Sequence, residues 1–367
     1  MQIERVLDWS SFFVDGVSIS RVECRMPLRN DRARSLQSII LGFSLIGALG
    51  CGPGTKSDPA PESGGGTASL DYPRKTVVIV CPWSAGGGTD RLSRYMADRL
   101  NEAYGKPFIV QNRTGGGGAV GHSAGALAKP DGHTILMATF ELSTMHWMGI
   151  SELTWEDYDW LAQLNADAAA ILVKQDAPWR DLKELIARIK SGSGKLKMSG
   201  TATGGAWDLA RAGMMQAAGL KADSIIWSPT KGSAPAIVEL LGGHIDAVCC
   251  SVPEAAAQIE AGELRVLAVM SDERLEDYPD YPTVRESGIE WTAVGWRGLA
   301  LPKGTPAEIV SDLQAKVSTI VESAEFKGFM KKNGFDVTIR ESAEFAEFLK
   351  TQDAQWKGVI EAAGYAK

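Results

Sequence analysis

This chain is poor in the residues that hold metal ions or form disulfides. Its 367 residues include only five cysteines and four histidines. No C-x-x-C pair and no H-E-x-x-H motif is present, so the spacing offers no zinc-type ligand set. We therefore expect no metal ion and no cofactor. A disulfide between the neighbours Cys249 and Cys250 would be strained, so we expect both, with Cys81, to be buried thiols at strand ends.

An excess of positive charge is also missing. The chain has 38 Lys and Arg against 45 Asp and Glu, a net charge of −7, which argues against the basic stripe of a nucleic-acid binder. The apolar run Ile39–Leu49 is too short to span a bilayer as a helix. With 44% hydrophobic residues, the composition is typical of a globular protein of about two domains.

The N-terminal region has the features of an export signal. An arginine-rich flank precedes the apolar run, and small residues stand before Cys51. We interpret residues 1–50 as a leader, with 1–25 a start-site artefact, 26–50 a lipoprotein signal peptide and Cys51 the lipidation site. Plain signal-peptidase cleavage and an uncleaved anchor are the alternatives. Residues 51–71, rich in Gly, Pro and Ser, predict a flexible tether, which places the protein in the periplasm or at the cell surface.

Short apolar runs alternate with amphipathic stretches from Tyr72 onward. Thr76–Cys81, Phe108–Gln111 and Thr134–Thr139 predict strands, and Asp90–Ala103 and His122–Lys129 predict helices. Strands that are apolar on both faces and alternate with helices indicate parallel sheets with flanking helices, so we expect an α/β fold.

The same alternation resumes in the second half of the chain. Helices are expected near Leu182–Ile189 and over most of the tail from Pro306. Further strands are expected at Ala169–Val173, Leu196–Ser199, Ser224–Ser228, Ile245–Cys250, Arg265–Ser271 and Phe335–Ile339.

Glycine is abundant, with 40 residues, and two loops concentrate it. They are Pro82–Asp90 and Asn112–Gly121, each between a predicted strand and a predicted helix. Ligands of parallel α/β sheets bind beyond the carboxyl ends of the strands, where glycine lets backbone N–H groups approach an anion. Two such loops on consecutive strand-helix units favour a cradle for a carboxylate or phosphate. The alternative is a pair of ordinary tight turns.

One enzyme motif has to be weighed against this cradle. Gly121–Gly125 fits the G-x-S-x-G pattern of a hydrolase nucleophile, with Ser123 as the serine and His244 as a later partner. That serine must stand at a sharp strand-to-helix turn, whereas Ser123 falls inside a predicted helix. A secreted serine hydrolase using Ser123 stays as the alternative function.

Several motifs, in order along the chain, together resemble the Bug/TctC family of extracytoplasmic solute receptors of tripartite tricarboxylate transporters. The segments that carry the resemblance are Tyr72–Lys75, Pro82–Asp90, Gln111–Gly118, Lys129–Thr134, Ser228–Ala236, Leu241–Asp246, Leu267–Val269 and Gly304–Pro306.

The resemblance implies a two-lobed periplasmic-binding-protein fold, type II-like, with the ligand in the cleft. Residues 72–170 plus 294–367 would form lobe 1 and residues 171–293 lobe 2. Two crossing strands, near Ala169–Val173 and Trp296–Leu301, would form the hinge.

The resemblance also implies which residues face the ligand. The residues facing the ligand include the loop after the third strand, Thr139–Glu141, and the segment Thr230–Ser233. We also expect Trp83, Trp207 and Trp227 to form an aromatic wall of the site. The ligand-binding residues expected in lobe 1 are Trp83, Ser84, Ala85, Gly86, Gly87, Gly88, Thr89, Asp90, Thr114, Gly115, Gly116, Gly117, Gly118, Thr139 and Phe140. Those expected in lobe 2 are Thr203, Gly204, Gly205, Thr230, Lys231, Cys250 and Ser251.

The implied function is non-enzymatic capture of a small carboxylate and its delivery to the membrane permease subunits of a tripartite transporter. We expect a monomer that meets the membrane only through its lipid anchor. An orphan receptor that signals to a sensor is a further alternative. Asp90 is expected to cap its helix, and Lys231 either pairs with a ligand carboxylate or is a solvated rim residue.

Overall fold

The computed structural model describes residues 70–192 and 194–367. Cys51, the leader at 1–50 and nearly all of the tether at 51–71 lie outside the described residues. The described residues form one unit by their internal contacts. Within the described ranges, no helix combines the length and apolar character needed to cross a membrane.

Five elements build the beginning of the fold. Strand β1 is almost entirely buried, and helix α1 buries Leu92, Met96 and Leu100 at helical spacing before Gly105, in the left-handed region, ends it. The bounds are β1 Val77–Cys81, α1 Gly88–Tyr104, β2 Phe108–Asn112, α2 Ala119–Ala126 and β3 Thr134–Thr139.

The central part of the chain begins with a long strand and continues with alternating helices and strands. The bounds are β4 Tyr158–Lys174, α3 Leu182–Lys190, β5 Lys197–Ser199, α4 Ala206–Ala217, β6 Ile226–Trp227, α5 Ser233–Leu241, β7 Ala247–Ser251, α6 Ala256–Glu260 and β8 Leu264–Val269. The chain then returns along a second long strand into a helical tail. Its bounds are β9 Val294–Pro302, α7 Ala307–Glu322, α8 Ala324–Lys332, β10 Arg340–Glu341 and α9 Ser342–Ala362.

The long strands β4 and β9 connect two groups of strands. The sheet order is β2-β1-β3-β9-β4-β7-β5-β6, with β8 and β10 also paired to β4. Residues Tyr158–Ala168 of β4 pair with β9, whereas Ala169–Lys174 pair with β7 and β8. Strand β4 therefore passes from one group of strands to the other between Ala168 and Ala169, beside the start of β9.

The prediction of parallel sheets is only partly right. Strand β1 runs parallel to β2 and β3, and β5 runs parallel to β6 and β7. Strand β9, however, is antiparallel to β3 and β4, and β4 is antiparallel to β7 and β8. A chain that crosses between two groups and returns must place its crossing strands side by side in opposite directions, and burial on both faces hides this from an apolar pattern.

Two local predictions are wrong. The helix expected at His122–Lys129 is Ala119–Ala126, because the turn that starts it falls at Gly118. The strand expected at Phe335–Ile339 is absent, and pairing is confined to Arg340–Glu341. Phe335 is a core side chain there.

Candidate functional site

A small cavity lies where both groups of strands meet, and its walls come from both. Its volume is about 30 Å³, which is room for about two water molecules. The predicted residues that line it are Trp83, Ser84, Gly87, Gly88, Thr89, Thr139 and Phe140, and the expected neighbours Glu141, Trp207, Gly232 and Ser233 join them. Lining residues that the sequence did not indicate are Thr201, Ala206, Glu254, Gly295, Trp296 and Arg297.

The remaining predicted residues lie outside the cavity lining. They are Ala85, Gly86, Asp90, Thr114, Gly115, Gly116, Gly117, Gly118, Thr203, Gly204, Gly205, Thr230, Lys231, Cys250 and Ser251. The structure therefore brings the first glycine loop to the cavity and leaves the second beside it. Several of these residues still contact the lining residues from outside the cavity.

The start of α1 forms part of the cavity wall through Gly87, Gly88 and Thr89. Gly86, at a φ of +86°, donates its own N–H to the Asp90 carboxylate at 2.9 Å. The expectation that Asp90 caps the helix is wrong, because Gly87 is the cap residue, without a side-chain cap, and the Asp90 carboxylate holds the preceding loop instead. Asp90 is also held by Arg94, at 2.9 Å, so it is not free for a ligand. In the described part of the chain, the N–H groups of Gly88 and Thr89 have no hydrogen-bond partner. Together with the helix dipole they form an anion-binding end.

The start of α4 repeats this geometry. Gly204, at a φ of +74°, donates its N–H to the Asp208 carboxylate at 2.9 Å, four residues ahead. The residue preceding the helix, Gly205, has φ −76° and ψ 172°, close to the −75° and 171° of Gly87 at α1. One difference separates the two ends: the Ala206 N–H of α4 is occupied, since it donates to Glu141 Oε1 at 2.9 Å.

Glu141 is a buried carboxyl, only 2% exposed, that reaches α4 from the turn after β3. Its second oxygen, Oε2, accepts the hydroxyl proton of Thr139. Thr139 Oγ1 in turn accepts the indole N–H of Trp83 at 3.1 Å. Burial raises the pKa of Glu141 above its ordinary value. Both carboxyl oxygens are thus held by the protein, and the side chain bridges two elements that are far apart in sequence.

His122 lies outside the cavity lining and holds Thr139 in place by a hydrogen bond. Its Nε2 accepts the Thr139 backbone N–H at 3.2 Å, so the proton is on Nδ1, which donates to the Gly118 carbonyl at 2.8 Å. Complete burial lowers the pKa of His122 to about 4, and the ring is therefore neutral at physiological pH.

Arg297, on β9, is the centre of a buried ionic cluster at the back of the cavity. It donates to Thr89 Oγ1 at 3.0 Å, to Asp167 Oδ2 at 2.6 Å and to Glu254 Oε1 at 3.2 Å. These partners belong to α1, β4 and the turn before α6, so one guanidinium joins the crossing strands to both groups of elements. Burial raises the pKa of Asp167 to about 6 in spite of Arg297.

Two loops that contribute residues to the cavity lining are joined by hydrogen bonds. Ser84 donates its backbone N–H at 3.1 Å and its hydroxyl at 2.8 Å to the carbonyl of Lys231. The Lys231 residue itself is exposed, which fits the solvated rim position rather than a counter-ion inside the cavity.

The second glycine loop has a supporting position. Gly115 to Gly118 all have positive φ, between +57° and +128°, which other residues rarely adopt. A Cβ added at Gly117 would stand 3.8–3.9 Å from the Thr203 carbonyl and the Ala202 side chain, and the Gly118 carbonyl accepts a hydrogen bond from His122. The second glycine loop therefore packs against the loop that precedes α4.

The predicted thiols and the enzyme motif have clear structural outcomes. Cys81, Cys249 and Cys250 are free and buried, as expected, and burial raises their pKa values. Ser123 lies in the middle of α2 and not at a strand-to-helix turn, so the hydrolase motif lacks its required geometry. Among residues 70–192 and 194–367, no group of three or more His, Cys, Asp or Glu is placed to hold a metal ion.

Comparison with known proteins gives a consistent result. A family model described as "Tripartite tricarboxylate transporter family receptor" matches residues 92–365. Protein BugT of Bordetella pertussis is 30% identical over 300 residues, which cover 80% of this chain and 90% of that protein.

Two solved structures from Rhodopseudomonas palustris have the same architecture. Rpa4515 with adipate is 27% identical, with a TM-score of 0.75, and the match covers 81% of this chain and 99% of that chain. MatC with bound malate is 25% identical, with a TM-score of 0.73, covering 79% of this chain and 100% of that chain. The expected two-lobed periplasmic-binding-protein fold is confirmed.

Proposed function

The chain belongs to the tripartite tricarboxylate transporter receptor family, and from this premise we propose that it captures a small carboxylate between its lobes and delivers it to a membrane permease. The family is one of solute-binding receptors. The observation that supports a carboxylate ligand is that the N–H groups of Gly88 and Thr89, at a helix start that lines the cavity, have no hydrogen-bond partner among the described residues.

Capture follows from the elements around this helix start. A ligand carboxylate accepts the two N–H groups of α1 and gains from the helix dipole. Its remaining part lies against the aromatic side chains of Phe140, Trp207 and Trp296, which line the same cavity. Because the cavity has a volume of only about 30 Å³, we propose that the lobes separate to admit the ligand and close around it.

The similar structures support a carboxylate in this class of site. The two Rhodopseudomonas palustris proteins were solved with adipate and with malate, and both molecules are carboxylates. They are 25–27% identical to this chain, so the details of the ligand are argued from this chain's own residues.

The test is a calorimetric screen of the purified protein with mono-, di- and tricarboxylates, aromatic acids included. Binding also raises the unfolding temperature by mass action, which gives a second readout. Gly88→Ala is the site variant, because its Cβ would stand 2.9 Å from Arg297 Nη2 and 3.0 Å from Glu254 Oε1. Gly328→Ala is the matched control, since that Cβ meets nothing within 4 Å.

We expect at least one carboxylate to bind, and we expect Gly88→Ala to weaken it at least tenfold while Gly328→Ala leaves it unchanged. If no carboxylate stabilises the protein, the proposed function is wrong. If both alanine variants bind normally, the ligand does not use the start of α1.

We also propose that the mature protein is a monomer held at the membrane by a lipid on Cys51, in the periplasm or at the cell surface. The lobes would comprise residues 72–170 plus 294–367 and residues 171–293. Intact mass of the native protein decides between a lipidated Cys51 and plain cleavage. Ligand uptake by cells with and without the neighbouring permease genes separates a transport receptor from an orphan signalling receptor.

A further inference from the structure

The first residues of α1 and of α4 both line the cavity, so the two helix starts can be compared directly. Helices α1 and α4 begin with the same glycine turn, the same aspartate four residues ahead and nearly the same backbone angles. At α1 the first N–H groups have no partner in the described ranges. At α4 the equivalent position already holds a carboxylate, that of Glu141, at 2.9 Å from the Ala206 nitrogen. The protein itself has filled one of two similar anion positions.

We propose that Glu141 is a specificity-determining residue, which occupies the second anion position and restricts the receptor to ligands with a single carboxylate and an uncharged remainder. This inference rests on the proposed function, because it assumes that a ligand carboxylate binds at α1. It deepens that function by excluding di- and tricarboxylates as preferred ligands.

The charges around the cavity support the restriction. The charged side chains that line it are Glu141, Glu254 and Arg297. Arg297 is not free to receive a second ligand carboxylate, since it already pairs with Glu254 and with Asp167 behind it. A dicarboxylate would place its second charge among buried carboxylates with no unpaired cation in the described lining. Like charges at low dielectric repel strongly, and burial of an unpaired charge is costly.

The rest of the lining suits an uncharged ligand tail. Phe140, Trp207 and Trp296 are each no more than 4% exposed, and all three line the cavity. The indole N–H of Trp83 is already used by Thr139. The aromatic rings thus offer an apolar surface to the ligand tail, beside the polar side chains of Thr201 and Ser233 that also line the cavity. The indole N–H of Trp296, which has no partner among the described residues, is a neutral donor and carries no charge to pair with a second carboxylate.

The experiment compares acids of equal chain length that differ only by the second carboxylate. The purified protein is titrated calorimetrically at pH 7.5 with butyrate against succinate, pentanoate against glutarate, and hexanoate against adipate. For each pair that binds, we expect the monocarboxylate to bind at least tenfold more tightly.

The variant Glu141→Gln removes the charge and keeps an oxygen to accept the Ala206 N–H. We expect it to reduce the preference for the monocarboxylate at least tenfold. The control is Glu239→Gln, an exposed residue of α5, which should leave the preference unchanged.

The outcomes are distinct. Equal or tighter binding of the dicarboxylates by the unmodified protein overturns the inference without any variant, and leaves the proposed function standing. An unchanged preference in Glu141→Gln overturns the role of this residue. Absence of binding by every carboxylate removes the proposed function itself, and the inference with it.

Discussion

The buried histidine beneath the cavity predicts a specific dependence of stability on pH. His122 is completely buried, with both ring nitrogens hydrogen-bonded, and its pKa is lowered from 6.5 to about 4 by burial. In the unfolded chain the ring is exposed to water and has its ordinary pKa. The unfolded state therefore binds a proton at a pH where the folded state does not.

The sign and magnitude follow from this difference. A lowered folded-state pKa contributes stability that is present above pH 6.5 and is lost as the pH falls toward 4. One unit of pKa corresponds to about 1.36 kcal/mol, so the whole interval is worth roughly 3 kcal/mol. Between pH 7 and pH 5 we expect His122 to account for a loss of roughly 2 kcal/mol in the free energy of unfolding.

The assay is urea unfolding of the unmodified protein and of His122→Gln at pH 7 and pH 5. Asp167 changes stability in the opposite direction, because its raised pKa of about 6 gives stability that is lost as the pH rises. That contribution is common to both proteins and cancels in their difference.

We expect the unmodified protein to lose roughly 2 kcal/mol more than His122→Gln between the two pH values. Equal losses refute the argument. If His122→Gln does not fold, nuclear magnetic resonance of the unmodified protein replaces it, and a His122 ring already protonated at pH 5 would be the refuting result.

Two further predictions concern the rim and the thiols. Ser84→Ala removes the hydroxyl bond to the Lys231 carbonyl, and we expect ligand affinity to fall about two- to tenfold with little change in stability, as for one exposed hydrogen bond. Ser318→Ala, whose hydroxyl bonds only within its own helix at Glu322, serves as the control, and equal effects of the two variants would contradict a role of the rim contact in closure. The three thiols of the described ranges are buried and have raised pKa values. We therefore expect an aromatic disulfide reagent at pH 8 to label none of them in the native protein and all three after unfolding. Rapid labelling of the native protein would contradict this and would show that the region around the thiols opens readily.

Much of the fold was predictable because its signals are local. The apolar strand at Thr76–Cys81, the helix that follows it and the glycine turn between them are short-range features of neighbouring residues. The prediction that Asp90 caps this helix was wrong, because Asp90 lies inside the first turn and its carboxylate accepts the N–H of Gly86 in the preceding loop. The direction of β4 and β9 was not predictable, because an apolar strand has the same pattern in parallel and antiparallel sheets.

The candidate site was predicted where it is built from one loop and missed where it is built from distant residues. Part of the first glycine loop lines the cavity, whereas the second loop has a similar composition and lies outside the cavity lining. Glycine content indicates where a backbone can turn, but the surroundings decide what the turn faces.

By itself, the sequence determined the alternation of strands and helices, the export-type leader pattern and the family resemblance, because each depends on residues close together or on the order of motifs. Only the tertiary structure decided the charges of the cavity. Arg297 meets Asp167, 130 residues away, and Glu254, 43 residues away, and Glu141 reaches an N–H group 65 residues along the chain. No local pattern records these contacts, since each residue alone is an ordinary charged side chain, and only the packing of β4, β9 and α4 buries them together.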